Sequence, residues 1–257
     1  MEYRNITLDE DGGFSLVTMK RPDRRNALSE EHLQELLQVF RGIGSSKARG
    51  VILAAEGPVF SAGHDFADMD GRDLAAMRRL LAVCAELMQT IQSIPQPVIA
   101  QVEGLATAAG CQLVATCDLA VAGESTRFRV PGGAGGWFCT TPGVALVRAV
   151  GRKHALEMLL TGDPIDAHTA LGWGLVNRVV PDDQVAEQTR HLLERATAGS
   201  ALSKGMGKQA FYAQVDLDVQ AAYAYASEVM ASASQMPDAQ EGLRAFLEKR
   251  QPKFADG

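Results

Sequence analysis

A strand that stops in a turn of small residues and restarts at once as a helix constrains this chain more than any other feature. Val98–Asp118, VIAQVEGLATAAGCQLVATCD, has that form. Val98 to Val102 reads as a buried strand, Glu103 to Thr107 as a turn, and Ala108 to Ala115 as a helix. The first N–H groups of such a helix have no partner within it, and the helix dipole adds partial positive charge there. Ala108, Ala109 and Gly110 carry almost no side chain to keep a ligand away. The stretch predicts a seat for an oxygen that develops negative charge.

An earlier stretch repeats the pattern. Val51 to Ala55 is an apolar run ending in Glu56-Gly57-Pro58, followed by Val59-Phe60-Ser61-Ala62-Gly63-His64-Asp65-Phe66. One N–H from each turn, converging on one oxygen, would form an oxyanion hole. A single donor of that kind is typically worth about 3–4 kcal/mol of barrier.

The pair FSAGHDF and VEGLATAAGCQL resembles the two signature stretches of the crotonase (enoyl-CoA hydratase/isomerase) family. The turn from Lys20 through Arg21-Pro22 to Asn26-Ala27-Leu28 is similar to another family stretch. So are Cys117 to Ala122, and the run from Leu159, Thr161 and Gly162 to Ala170, Gly174, Leu175 and Val176. The likeness covers nearly the whole chain with the motifs in order. GHD, TAAGCQL and GWFCTTPGVAL together resemble the enoyl-CoA hydratase domain-containing branch, which lacks the paired catalytic glutamates. The SAGHD string also resembles a methylmalonyl-CoA decarboxylase branch.

Taken in order, the chain reads as α/β followed by helices. Tyr3–Leu8 and Phe14–Met19 predict a hairpin around a turn at 9–13. Ser29 is a candidate N-cap for a helix carrying Leu33, Leu36, Leu37 and Phe40. Apolar spacing from Leu74 to Ile91 predicts a helix over 71–93, ended by Pro95 and Pro97. Strands are expected at 118–122, 126–130 and 176–180, and helices at 142–150, 153–161 and 166–173. PGGAGG, 131–136, matches neither GxGxxG nor a Walker loop and reads as a loop whose backbone passes close to a ligand. Beyond Pro181 four helices are expected. The resemblance implies a crotonase-type ββα spiral, with stacked sheets and outer helices over 1–195. It also implies a C-terminal helical sub-domain over 196–257, in one compact unit that assembles as a homotrimer or as a hexamer of two trimers.

Composition sets the remaining bounds. At 257 residues the chain can bury a sizeable core, and its net charge of −6 with no basic cluster argues against nucleic acid. No apolar run is long enough to span a bilayer. Cys84, Cys111, Cys117 and Cys139 have no CxxC or metal-ligand spacing and read as reduced thiols. The acidic N-terminus resembles neither a signal nor a transit peptide, so the expected location is cytoplasmic.

By the resemblance, the N–H groups of His64 and Ala109 polarise the thioester carbonyl of an acyl-CoA and hold its enolate. No separate cofactor is implied, since coenzyme A is part of the substrate. In the hydratases two glutamates activate water at C3 and deliver a proton at C2; here those positions hold Gln112 and Gly132. Gln112 can orient a water but cannot take its proton, and Gly132 offers nothing. Asp68, Glu103, Cys111 and Cys139 are substitutes, each with a bland alternative as a solvated carboxylate or inert thiol. The His64 ring either takes part or only packs and bonds to Asp68, and Asp118 reads as structural. Arg24 and Ala62 are expected to meet the adenine and pantetheine. Phe246 and Lys249 are expected to reach an adenine site from the tail of the same or a neighbouring subunit. Three activities stay open: enoyl-CoA hydration, decarboxylation of a malonyl-type acyl-CoA, and acyl-CoA binding without catalysis.

Overall fold

The computed structural model describes residues 3–254. β1 (Ile6–Asp11) pairs antiparallel with β2 (Phe14–Met19) around Gly12 and Gly13. The acidic run at 9–11, expected in the turn, lies in β1 instead. β1 is an exposed edge strand, where charged side chains reach water while the backbone stays paired. α1 (Glu30–Gly44) is capped by the Ser29 hydroxyl, which accepts from His32 N. β3 (Val51–Ala55), the short α2 (Phe66–Met69) and α3 (Leu74–Ser93) follow, with Asp73 capping α3.

β4 (Val98–Val102) then leads into a short strand, β5 (Leu105–Thr107), where the small residues had suggested a turn. The segment is extended because its backbone finds a partner: β5 pairs in parallel with β7 (Arg127–Arg129). α4 (Ala109–Thr116) and β6 (Leu119–Gly123) lie between them. α5 (Thr140–Thr161) merges the two expected helices and breaks at Gly151, which holds φ 76° and ψ 168°. β8 (Ile165–Asp166), α6 (Ala167–Trp173), β9 (Arg178–Val180) and α7 (Val185–Thr197) complete the mixed part. The tail is α8 (Ala201–Gln214), α9 (Val219–Ala233) and α10 (Pro237–Leu247).

Two sheets result, one ordered β1-β2-β3-β4-β6-β9 and one ordered β5-β7-β8. From β2 to β9 the large sheet is parallel. The alternation of a strand sorts its residues to opposite faces. Val51, Leu53, Val98 and Ala100 join the main core with Leu33 and Leu36 of α1 and Leu80 and Leu87 of α3. Ile52, Ala54, Ile99 and Val121 turn the other way, onto Val185 and Leu193 of α7. Covered on both faces, β3 reads as an unbroken apolar run. Because β3 and β4 are parallel neighbours in near-matched register, their carboxyl ends open on the same edge. The two loops singled out in the sequence leave from that edge, where ligands of open α/β sheets bind.

α8 is tied to this frame by a buried charge. Lys208 Nζ lies 2.7 Å from Asp118 Oδ2 and donates to the carbonyls of Ile91 and Gln96, each at 2.8 Å. Asp118 also accepts from Val98 N at 2.7 Å and from the Tyr212 hydroxyl at 2.9 Å, which is the structural role expected of it. Among the described residues no helix is long and apolar enough to cross a membrane.

Candidate active site

The loop after β3 is held from two sides. On one side stands the early turn. Asn26, fully buried at φ 50°, donates to the carbonyls of Glu56 and Val59 at 2.8 Å each and accepts from Arg21 N. Ala62 N donates to Arg25 O, and Leu28 N to Gly63 O. On the other side, Ser61 N donates to Leu105 O at 3.2 Å and Thr107 N to Ser61 O at 2.9 Å. The start of α4 comes so near that a β-carbon at Gly110 would lie 2.4 Å from Ser61 O. The two stretches predicted to converge are therefore bonded side by side.

Their ends supply the donors. Ala108 takes φ 50° and ψ −118°, a conformation that costs an L-residue on the order of 1–3 kcal/mol. Its own N–H is satisfied by Arg129 O at 2.8 Å, and its carbonyl accepts from Gln112 N. That forced turn starts α4 with Ala109 N free. Gly63, at φ 82°, packs against it: a β-carbon there would lie 3.0 Å from Ala109 N. Among the backbone hydrogen bonds of the described residues, neither His64 N nor Ala109 N is a donor. Both residues line a cavity of about 110 Å³, walled also by Leu81, Trp137, Phe138 and Cys139.

The side chains of this region are short of partners. Eight buried side-chain nitrogen or oxygen atoms lack a hydrogen bond among the described residues, and four belong to His64, Thr107 and Gln112. Buried polar atoms are nearly always paired, so orphans at His64, Thr107 and Gln112, on the two loops and α4, set this region apart from a finished core. Both ring nitrogens of His64 are among them. Burial lowers the His64 pKa below the usual histidine value, against the opposing influence of the Leu28 backbone and Asp68. The ring makes no hydrogen bond to Asp68, whose carboxylate is taken up by Arg72 and by Glu30 N.

The expected substitutes for the glutamates fare differently. Gln112 sits in the first turn and a half of α4, 4% exposed, with Oε1 unpartnered. Gly132 lies in a tight turn, Pro131–Gly133, behind the cavity wall, where a β-carbon would meet Trp137 O at 2.2 Å and Cys139 Sγ at 2.6 Å. No larger residue fits there without moving the wall. Burial pushes the Cys111 thiol up to about 12 and raises that of Cys139, so neither is a thiolate near neutrality. Glu103 is exposed and accepts from Gln101. Among the described residues no carboxylate lines the cavity.

Of the residues expected to meet coenzyme A, Arg24 ends the early turn and Ala62 bonds that turn through Arg25 O, and neither lines the His64 cavity. Arg24 is half exposed and 3.5 Å from Asp65, which Arg21 also holds at 3.2 Å. Phe246 is 82% exposed on α10, and its groove, shared with Leu202, Met206 and Leu243, has no residue in common with the His64 cavity. Lys249 follows at φ 55°. Within one chain, then, the tail pair is not brought to the cavity. Sequence reasoning missed Thr107, Trp137 and Phe138. The aromatic pair straight after the glycine-rich loop was the available signal.

Comparison with known proteins agrees with this geometry. The profile of the family described as "Enoyl-CoA hydratase/isomerase" matches residues 9–257. A Mus musculus protein named "Enoyl-CoA hydratase domain-containing protein 3, mitochondrial" is 43% identical over 255 residues, covering 98% of this chain and 84% of that protein. The crystal structure of an enoyl-CoA hydratase from Mycobacterium smegmatis superposes with a TM-score of 0.95 at 45% identity, covering 97% of this chain and 98% of that one. The human enoyl coenzyme A hydratase domain-containing protein 3 superposes at 0.93 with 41% identity, covering 97% of this chain and all of that one. The mouse name, "mitochondrial" included, recurs in relatives from frog, rat, human and zebrafish, which overturns the expected cytoplasmic location. That expectation rested on reduced thiols and a polar start. Buried, unpaired cysteines do not register a compartment. Two signature loops bonded into one cradle, a matching profile and near-complete superposition lead to one assignment: the chain belongs to the enoyl-CoA hydratase/isomerase (crotonase) family.

Proposed function

We propose that this protein is an enzyme of the enoyl-CoA hydratase type that holds the thioester oxygen of an acyl-CoA between the His64 and Ala109 N–H groups. One observation carries the reading: His64 and Ala109, whose backbone N–H groups have no hydrogen-bond acceptor among the described residues, line the same small cavity. Donors already in place cost no reorganisation when an enolate forms, and they act in a site from which water is largely excluded. With Gln112 and Gly132 at the glutamate positions, hydration is slow. Losing a general acid or base typically costs ~10²–10⁴-fold for each group.

The test is hydration of crotonyl-CoA, beside binding of the same thioester and of butyryl-CoA. The expected result is clear binding, and turnover far below the ~10 s⁻¹ typical of enzymes. Gln112→Glu is expected to raise the rate, and is a cleaner probe than any change at Gly132, where the wall leaves no room. Failure to bind either thioester would overturn the reading. A second reading is favoured by the lack of a carboxylate in the cavity: loss of carbon dioxide from a malonyl-type acyl-CoA yields the same enolate without a base. Release of carbon dioxide from methylmalonyl-CoA, with no hydration of crotonyl-CoA, would decide for it.

Arg24 and Ala62 are assigned here to coenzyme A binding, and Phe246 and Lys249 to an adenine site completed by a neighbouring subunit. Chains assembled as trimers or hexamers would cover the exposed side chains of α9. This reading is supported by Tyr223 at 72% and Met230 at 78% exposure beside a groove of about 700 Å³ between α8 and α9.

A further inference from the structure

We propose that the His64 imidazole is the proton carrier of this site, taking a proton from C2 of a bound acyl thioester and returning it there. The proposal rests on the acyl-CoA reading and adds the group that reading lacks. Among the cavity-lining residues the titratable side chains are His64 and Cys139. Cys139 stays protonated, because burial raises its thiol. Neither nitrogen of His64 makes a well-formed hydrogen bond to the protein, although the Leu28 backbone lies near enough to favour the charged ring, so a nitrogen is left to accept. An unpartnered buried imidazole costs folding free energy, since a buried donor or acceptor without a partner forfeits its hydration. The cost is offset once a ligand supplies the partner.

The same residue supplies both functions by different atoms. Its backbone N–H faces the developing oxyanion, and its ring carries the proton. The C2–H bond breaks and its electron pair becomes the C1–C2 double bond. The carbonyl π pair moves to the thioester oxygen, held by the two N–H groups. The proton forms an N–H bond on the ring, giving an imidazolium. Reversal regenerates the neutral ring and the C2–H bond, so atoms and electrons balance without any co-reactant. Burial, which lowers the ring's affinity for protons, keeps it neutral and able to accept near pH 7. Asp68 on α2 is the charged group that acts on the ring, and it is itself paired with Arg72; Asp65, beside it in sequence, is taken by Arg21 and Arg24.

Exchange of the C2 hydrogens of butyryl-CoA in heavy water tests this whichever reaction is the natural one. The wild-type protein is expected to bind butyryl-CoA and exchange those positions. The rate should fall only as pH drops below the ordinary histidine value, because burial delays protonation of the ring. His64→Gln retains the main-chain donor, so binding should stay within a few-fold while exchange drops by about 100-fold or more. Exchange at the wild-type rate in His64→Gln would overturn the proposal, and so would wild-type binding without exchange. If His64→Gln does not fold, the wild-type profile decides, and a rate that stays flat to the lowest pH at which the protein remains folded would exclude an imidazole carrier. No binding at all would instead bring down the acyl-CoA reading, and this proposal with it.

Discussion

At position 108 an L-residue is held at φ 50° so that the next N–H points out of the helix rather than along a ladder. The strain persists because its surroundings leave no choice: Arg129 O takes the Ala108 N–H, and Gly110 is pressed onto Ser61. Gly110→Ala is expected to cost about 1–3 kcal/mol in urea unfolding, as overpacking does, and to weaken butyryl-CoA binding by separating the loops. A second residue-scale effect concerns His32, which is fully buried with Nδ1 3.2 Å from Ala27 O. Burial pulls its pKa from 6.5 down to about 4. The folded state thus resists protonation while the unfolded chain accepts it. Stability is complete above pH 6.5 and falls on acidification toward pH 4, by about 3 kcal/mol from this ring. Unfolding free energies measured at pH 4 and pH 7 check this, with His32→Gln expected to flatten that part of the slope. At this scale the sequence disclosed the two stretches that bond side by side, because GHD and TAAG are local patterns. It did not disclose Trp137 and Phe138, whose place in the wall depends on chain segments far apart.

Among elements, α8 carries the clearest energetic signature. Lys208 and Asp118 join it to β4 and β6 with side chains only 8% and 14% exposed. Removing one member leaves a buried charge uncompensated, so Lys208→Met is expected to destabilise by about 3–5 kcal/mol in denaturant unfolding. Lys208→Met combined with Asp118→Asn should recover part of that loss, and no recovery would show the pair to be uncoupled. One helix cap was legible from sequence: Ser29 stands one residue before α1, and its hydroxyl bonds the backbone three residues on. β5 was not legible. Three residues of Leu105–Thr107 carry no period, and only the neighbouring Arg127–Arg129 makes them a strand. Gly151 marks a similar limit, since a break inside α5 can be seen as two helices but not as one bent element.

For the molecule as a whole, the order of strands and helices followed from apolar runs and turn residues, and the family likeness supplied the spiral. Assembly is a different matter, because exposed apolar faces look alike whether they meet a copy or another part of the same chain. Light scattering is expected to give a mass three or six times that of one chain. Met230→Glu, on a side chain 78% exposed, should shift that mass downward without unfolding the protomer. A wild-type mass of one chain would remove the assembly reading and the shared adenine site with it.

The two N–H groups assigned above to the thioester oxygen belong to the main chain, and every amino acid except proline brings the same N–H. On that proposal, side-chain replacement at 64 or 109 leaves the anchor standing as long as the backbone path survives. What surrounds such an anchor is free to vary, as Gln112, Gly132 and the His64 imidazole do here. A cradle of this kind separates inheritance into two parts. The grip on a thioester is written in chain geometry and changes slowly, whereas the choice of reaction is written in a few side chains. Such a protein can lose one chemistry and take up another without first losing its substrate.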